Sequence, residues 1–301
     1  MHGPRSKPID RFEAPYDIAG NCETAGRYRS RGERIHVGEA LSLVAYPDLE
    51  SRVDAIERDG YVYFPDQMRR DEVAEMRETM DRLEANPEHD TFDTPESGGF
   101  YHVAIHNAFN RDRLFTTFLD RPGVIEVAEA IHGADCHCIG MTVWITGPGR
   151  PAQKLHVDWL PIALPEDVRR DPRVKMPVFI TTCHYYLNDM YEELGPTQFV
   201  PGSHFSGRRP NGGQEGEGKA GESILCSAGD AVLFRSEVWH RGTANVSEET
   251  RYLLQVHYAQ RMITQKYPPY PHRFRFDEAL LAQATPRQRR LMGDHLKSNY
   301  D

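Results

Sequence analysis

Cysteine is scarce in this chain. There are five residues among 301, odd in number and scattered at Cys22, Cys136, Cys138, Cys183 and Cys226. That pattern argues against a disulfide-stapled scaffold and for free thiols in a reducing compartment, so a cytoplasmic location is expected. No apolar run approaches the ~20 residues of a membrane span. The first thirty residues are polar and spaced by Pro and Gly, with no apolar core of the kind a secretory signal needs. Residues 298–301 carry no peroxisomal or endoplasmic-reticulum address. Positive charge is also in deficit: 36 Lys and Arg against 45 Asp and Glu leave a formal net charge of −9. The average surface therefore repels nucleic acid and anionic membrane, and neither is an expected partner. There is no internal repeat, and the one low-complexity stretch covers residues 212–221.

With 39% hydrophobic and 27% charged residues, the chain fits one large domain or two small ones and can bury a substantial core. Residues 1–48 lack sustained periodicity and read as an arm packing on the rest, either capping a pocket or mediating a homodimer. Residues 49–301 read as a single domain. The spacing of Leu49, Val53 and Ile56 predicts a short amphipathic helix that stops near Gly60. Gly60-Tyr-Val-Tyr-Phe64 reads as a strand closed by Pro65-Asp66. Val73, Met76, Met80 and Leu83 form one stripe of a longer helix. Pro122 is placed to open another, with Ile125, Ala128 and Ile131 inward and Gly133 as its stop. Beyond residue 136, short β-type runs dominate, at 138–146, 178–187, 197–200, 230–235 and 251–258, and a last helix is expected over 277–296. The expected fold class is mainly β with flanking helices, a sandwich or barrel.

The chemistry begins at His156-Val-Asp158. On a strand, residues two apart face the same side, so this imidazole and carboxylate can share a metal. With 14 His in the chain, chance alone supplies on the order of one such triplet, and a surface His beside a solvated Asp is the plain alternative. A second His lies at Trp239-His240-Arg-Gly242, between two β-type runs. Two His and one carboxylate make a facial ligand set that leaves three adjacent metal positions open. These ligands suit Fe(II), and Zn(II) would accept them too. Arg251 follows and opens the run Arg251-Tyr-Leu-Leu-Gln-Val-His-Tyr258, where it shares a face with Leu253, Gln255 and His257. A guanidinium among apolar residues needs a partner. A carboxylate ligand would serve through a two-pronged charged hydrogen bond, as would a structural Asp or Glu.

Taken in order, these segments resemble the phytanoyl-CoA dioxygenase-like family of Fe(II)/2-oxoglutarate-dependent oxygenases. The resemblance rests on Gln153-Lys-Leu-His156-Val-Asp158, Gly195-Pro-Thr-Gln-Phe-Val-Pro201-Gly-Ser-His204, Trp239-His240-Arg-Gly242 and the spacing to Arg251. Asp59-Gly-Tyr-Val-Tyr-Phe64, followed by a helix, looks like the family's entry segment, and coverage runs from about Asp54 to Tyr258. The resemblance implies a double-stranded β-helix, a cupin-like jelly roll with the metal in its mouth. It implies His156, Asp158 and His240 as iron ligands and Arg251 as the holder of the distal carboxylate of 2-oxoglutarate. Gln153 and Thr197 match positions that help hold this co-substrate in relatives acting on natural products. The implied reaction consumes 2-oxoglutarate and O2, releases succinate and CO2, and oxidises an unactivated C–H of a small-molecule metabolite, hydroxylation being the default.

The charges agree with that reading. Fe(II) with Asp158 leaves +1, Arg251 adds +1, and a 2-oxoglutarate dianion neutralises both. Related halogenases have a small residue where Asp158 stands, so the carboxylate argues against halogenation. A non-oxygenase metalloenzyme on the same fold would act without oxygen and give Arg251 no role; a catalytically silent binding protein would have no reason to keep the ligands. Pro201-Gly-Ser-His204 reads as a structural turn, Cys136-His-Cys138 as strand packing, and His184-Tyr-Tyr186 as core or as the lining of a pocket. Residues 212–221 end without the Lys-Ser/Thr of a phosphate loop and read as a lid or surface excursion. Trp159-Leu-Pro-Ile-Ala-Leu-Pro165, directly after the metal triplet, is the expected substrate wall.

Overall fold

The period-two runs of the second half assemble into two antiparallel sheets in the computed structural model, which describes residues 43–86, 91–93, 100–211, 221–267 and 273–296. The larger sheet passes in order through β1 (Tyr61–Phe64), β8 (Ala231–Arg235), β5 (Ile180–Tyr186), β10 (Arg251–Ala259), β4 (His137–Thr146), β3 (His102–His106) and β2 (Thr91–Asp93). The smaller runs β7 (Glu222–Ser223), β6 (Thr197–Val200), β9 (Trp239–Gly242). Five of the eight strand pairings join strands that are not consecutive in the chain, as expected of a jelly roll, the cupin-like double-stranded β-helix. All described residues belong to one compact unit, Val37–Asp301. Of the expected N-terminal arm, residues 1–42 lie outside the described residues; Ala45, just beyond them, bridges in parallel to Tyr63.

Alternation divides the larger sheet into two faces. Leu254, Val256 and Tyr258 of β10, Met141, Val143 and Ile145 of β4, and Leu233 of β8 face outward. They meet the apolar stripes of α1 (Leu49–Arg58), α2 (Arg70–Glu84) and α4 (Val124–His132), the last through Val124, Ile125, Val127 and Ala128. In α2, Val73, Met76, Met80 and Leu83 are all buried, the predicted stripe. Each such side chain, fully buried, contributes about 1.5–3 kcal/mol of transfer free energy. The opposite face closes on the smaller sheet through a second cluster that includes Tyr61, Tyr186, Phe199, Phe234 and Leu253. Phe199 of β6 stacks on Tyr61 at 5.1 Å and meets Phe234 edge-on at 4.9 Å, fastening the two sheets together. Four short helices, α3 (Arg113–Thr116), α5 (Glu166–Arg170) and the pair described next, complete the periphery.

Three expectations need correction. The last helix is not continuous over 277–296. It breaks into α6 (Glu278–Gln283) and α7 (Pro286–Leu291), because Pro286 has no N–H to continue α6 and instead opens α7 behind the Thr285 cap. Pro122 does not open α4; Gly123 is its N-cap, with the Glu126 carboxylate accepting from the Gly123 N–H at 2.6 Å. The His156-Val-Asp158 segment is not a regular strand: His156 makes one isolated antiparallel bridge to His240, and Asp158 sits in a bend. Among the described residues no helix is long and apolar enough to cross a membrane.

Candidate metal centre

The single bridge is enough to assemble the site. Main-chain hydrogen bonds run both ways between His156 and His240, each 2.9 Å, and place the two rings 4.4 Å apart. The chain then bends and returns the Asp158 carboxylate between them. Asp158 Oδ1 lies 3.4 Å from His240 Nε2 and 3.8 Å from His156 Nε2. The three residues can turn one ligand atom each to within 4.8 Å of one another, the one such group of His, Cys, Asp or Glu among the described residues. Each imidazole is oriented by its own main chain: His156 Nδ1 pairs with the Lys154 carbonyl at 2.9 Å and His240 Nδ1 with the Val238 carbonyl at 3.0 Å. A carbonyl only accepts, so both Nδ1 atoms carry the proton and both Nε2 lone pairs face the carboxylate. Burial would raise the Asp158 carboxyl, but His240, then His156, hold it well below the usual carboxylate range. Burial and His240 push His156 down to about 4. For His240, the Asp158 carboxylate outweighs burial and raises it.

Support comes from both sheets. The Ser203 hydroxyl accepts from the Trp239 N–H at 2.7 Å, and the His204 ring pairs with the Glu57 carbonyl at 3.0 Å, so the Pro201-Gly-Ser-His204 turn braces the strand that carries His240. Phe199 and Phe234 pack on the His240 ring at 5.7 and 4.9 Å. Thr182 on β5 donates to Asp158 Oδ2 at 3.5 Å and meets His257 Nδ1 at 3.0 Å, fixing the carboxylate's second oxygen.

Arg251 opens β10 and projects between the sheets, where Nη1 donates to the Gly195 carbonyl. Gly195 takes a positive φ of 78°, and a Cβ there would lie 2.7 Å from the Thr243 carbonyl, so the turn before the Pro201-Gly-Ser-His204 segment needs its glycine. Among the described residues no carboxylate pairs with Arg251. Burial, and the Arg150 guanidinium nearby, lower it to about 10, still a cation at neutral pH. Gln153 is exposed, and its Oε1 accepts from the Gly242 N–H at 2.8 Å. Thr197, buried, is paired in register with Gly242 and lies against Tyr186. A Cβ on Gly242 would stand 3.1 Å from Gln153 Oε1, 3.6 Å from Arg150 Nη1 and 3.7 Å from Arg251 Nη2. Two cations, an amide and a bare backbone thus converge beside His240, a setting that fits a small dicarboxylate.

Sequence reasoning missed Arg150, Thr182 and a relay in which Gln255 accepts from Trp144 Nε1 at 3.0 Å and meets His184 Nε2 at 3.0 Å. Arg150 sits in a Gly/Pro turn with no periodic signal. Thr182 and His184 could have been found as alternate residues of one strand face. On β10 the inward residues Arg251, Gln255 and His257 are less buried than outward-facing Leu254, Val256 and Tyr258, which marks an open space between the sheets. Cys136 and Cys138 are buried free thiols; Tyr185 lies in the core under the helices, Tyr186 in the core between the sheets, and His184 is buried on the same face as Tyr186. Of the Gly-rich stretch, residues 212–220 lie outside the described residues.

A jelly roll holding two imidazoles and one carboxylate, with an arginine set between its sheets, defines a class of non-haem iron enzymes. A family model for phytanoyl-CoA dioxygenase matches residues 56–252, and the chain belongs to that family, whose members use Fe(II), 2-oxoglutarate and O2. It is accordingly an Fe(II)/2-oxoglutarate-dependent enzyme. Solved structures share the fold. The nogalamycin-biosynthesis epimerase SnoN, seen with Fe3+, α-ketoglutarate and nogalamycin RO, is 22% identical, with a TM-score of 0.56 over 71% of this chain and 84% of its own. The carbocyclase SnoK is 19% identical, with a TM-score of 0.56 over 70% of this chain and 84% of its own. HygX from Streptomyces hygroscopicus, with nickel and 2-oxoglutarate bound, is 16% identical, with a TM-score of 0.56 over 71% and 88%.

Proposed function

We propose that the chain oxidises a small organic molecule at an unactivated C–H, with hydroxylation as the default outcome, His156, Asp158 and His240 as the iron ligands, and Arg251 as the anchor of 2-oxoglutarate. The observation that carries the reading is the convergence of both Nε2 lone pairs on Asp158 Oδ1, beside a cation with no carboxylate of its own. The donor set fits Fe(II): two neutral imidazoles and one ionised carboxylate on one side leave the other side open. When bound, the iron with 2-oxoglutarate and O2 supplies the oxidant, and succinate and CO2 are released.

The protein's own part is positioning. The Lys154 and Val238 carbonyls keep both rings in one tautomer, and Thr182 keeps Asp158 from rotating. Gln153 and Thr197 flank Gly242, where the co-substrate carboxylate meets Arg251. The aromatic packing of Phe199 and Phe234 keeps bulk water from one side of His240. Hydroxylation, epimerisation and ring closure differ in the fate of one substrate radical, and SnoN and SnoK carry the latter two names on this fold; the surface that holds the substrate decides between them. A cytoplasmic setting suits the free thiols.

The test is an anaerobic titration of purified protein with Fe(II), then 2-oxoglutarate, read by the visible metal-to-ligand charge-transfer band. The band is expected in the wild type and absent in Asp158→Ala. No band in folded, iron-loaded wild-type protein would overturn the assignment.

A further inference from the structure

The charge balance of the proposed centre closes without Lys266. Iron, Asp158, 2-oxoglutarate and Arg251 sum to zero, yet besides Arg150, at the Arg251 end, a further cation stands in the same interior. Lys266 leaves β10 by a short turn and is tied to β4 by its N–H, which donates to the Ile139 carbonyl at 2.7 Å. Its ammonium lies over the face of Trp159, 4.7 Å from the ring centroid, and Trp159 is the residue after Asp158. It is close enough to Asp158 and to His257 for their charges to act on one another. Among the described residues no carboxylate pairs with it, although the chain has 45 Asp and Glu. A half-buried ammonium held by an aromatic face alone is under-coordinated, since it has three donors and the ring satisfies none of them as a hydrogen bond does.

The surroundings indicate what completes it. His257 and His106 face the same space, the first held by Thr182 at 3.0 Å and the second by Thr142 at 3.2 Å. Outside them, large apolar side chains reach solvent: Trp159 and Ile162 in the segment after Asp158, and Met262 in the segment leading to Lys266. A cation set behind an apolar rim matches a molecule with an apolar body and one anionic group.

We propose that Lys266, seated on Trp159 beside the metal triad, anchors an anionic group of the substrate, a carboxylate or a phosphate ester, and so makes the substrate an amphiphilic anion. The inference rests on the function proposed above and supplies its substrate class. Lys266 is a specificity determinant outside the metal and co-substrate contacts. Burial depresses its ammonium while Asp158 opposes the shift, and an anionic ligand would oppose it in the same sense.

The experiment uses the full chain loaded anaerobically with Fe(II) and saturating 2-oxoglutarate, which occupies Arg251 and the open metal positions. Three probes differ only in their head group: phenylacetate, phenyl phosphate and neutral phenylacetamide. Binding is read by ligand-observed NMR in the wild type, Lys266→Met, which keeps the stem on Trp159, and Lys266→Arg, which keeps the charge. The wild type is expected to bind at least one anion roughly tenfold more tightly than the amide, as one charged hydrogen bond provides. Lys266→Met should lose that preference with amide binding unchanged, and Lys266→Arg should keep it. The anion that gains more identifies the head group as carboxylate or phosphate ester. Equal binding of all probes, no binding of either anion, or an undiminished preference in Lys266→Met would overturn the proposal. The charge-transfer band is recorded on the same samples. Its absence would count against the iron and co-substrate assignment, while the probe titration would still report on Lys266.

Discussion

Replacing Arg251 by Met separates a co-substrate anchor from a structural ion pair, because the two roles move different quantities. As an anchor, Arg251 meets a carboxylate only when 2-oxoglutarate is bound, and breaking one side of a hydrogen-bonded charge pair costs about 2–5 kcal/mol. At 1.4 kcal/mol per tenfold, that range is roughly 30-fold to a few thousand-fold in the 2-oxoglutarate requirement. The lower part of the range is expected, about 30- to 300-fold, since Arg251 is only partly buried and Arg150 stays nearby to attract the same carboxylate. The ligand-free fold should barely notice. The variant loses the bond to the Gly195 carbonyl, worth about 1 kcal/mol, and escapes the repulsion from Arg150 that, with burial, depresses the guanidinium. A broken structural ion pair would cost about 3–5 kcal/mol instead. Steady-state succinate formation against 2-oxoglutarate concentration and urea unfolding without co-substrate measure the two effects. An unchanged 2-oxoglutarate requirement, or a loss of several kcal/mol in the ligand-free protein, would refute the assignment.

His240→Ala should abolish iron-dependent turnover while circular dichroism shows a folded chain; retained succinate formation would remove His240 from the ligand set. Gly242→Ala should raise the 2-oxoglutarate KM with little change in stability, because the new methyl enters the space shared by Gln153, Arg150 and Arg251 without demanding an unusual backbone; an unchanged KM would place the co-substrate elsewhere. Acid should destabilise the fold well above the carboxylate range. Burial lowers His132 to about 4 and His204 to about 3 from the ordinary 6.5. The unfolded chain therefore binds more protons below pH 6.5, and stability present above that pH is lost as pH falls toward 4. The two rings contribute up to about 3 and 5 kcal/mol respectively. Urea unfolding at pH 7.5 and 5 should show the drop, and His132→Gln should lessen it; a flat profile in the wild type would contradict the burial of these rings.

Much of the fold was legible because alternation and helical stripes are local. The strands at 197–200 and 251–258 fall where their patterns put them, and Arg251, Leu253, Gln255 and His257 do share a face. Pairing partners are another matter. β10 lies between β4 and β5, more than 60 residues away, and nothing in its own composition selects them. The metal triplet was found for a reason that proved incomplete. Two residues apart on a strand was the expected geometry, whereas one bridge to His240 and a bend bring Asp158 into place. Motif order carried that inference. The helix expected over 277–296 breaks at Pro286, whose missing N–H outweighs propensity.

The inward face of β10 also explains why some residues escaped a reading by motif. Arg251 and His257 are six residues apart, about 20 Å along a strand, and the triad faces the space between them. At the Arg251 end stand Arg150, His102 and Gly242; at the His257 end stand Thr182, His106 and Lys266. The first end carries Arg251, the proposed anchor of 2-oxoglutarate, and its spacing from His240 is what a family pattern exposes. The second end is the one proposed to meet the substrate, and its residues come from four separate segments with no common spacing. Lys266 can be replaced without breaking a hydrogen bond to Asp158, whose second oxygen is held by Thr182. Substitutions at the Lys266 end should therefore alter which molecule is oxidised and leave the 2-oxoglutarate requirement in place, the reverse of what Arg251→Met does.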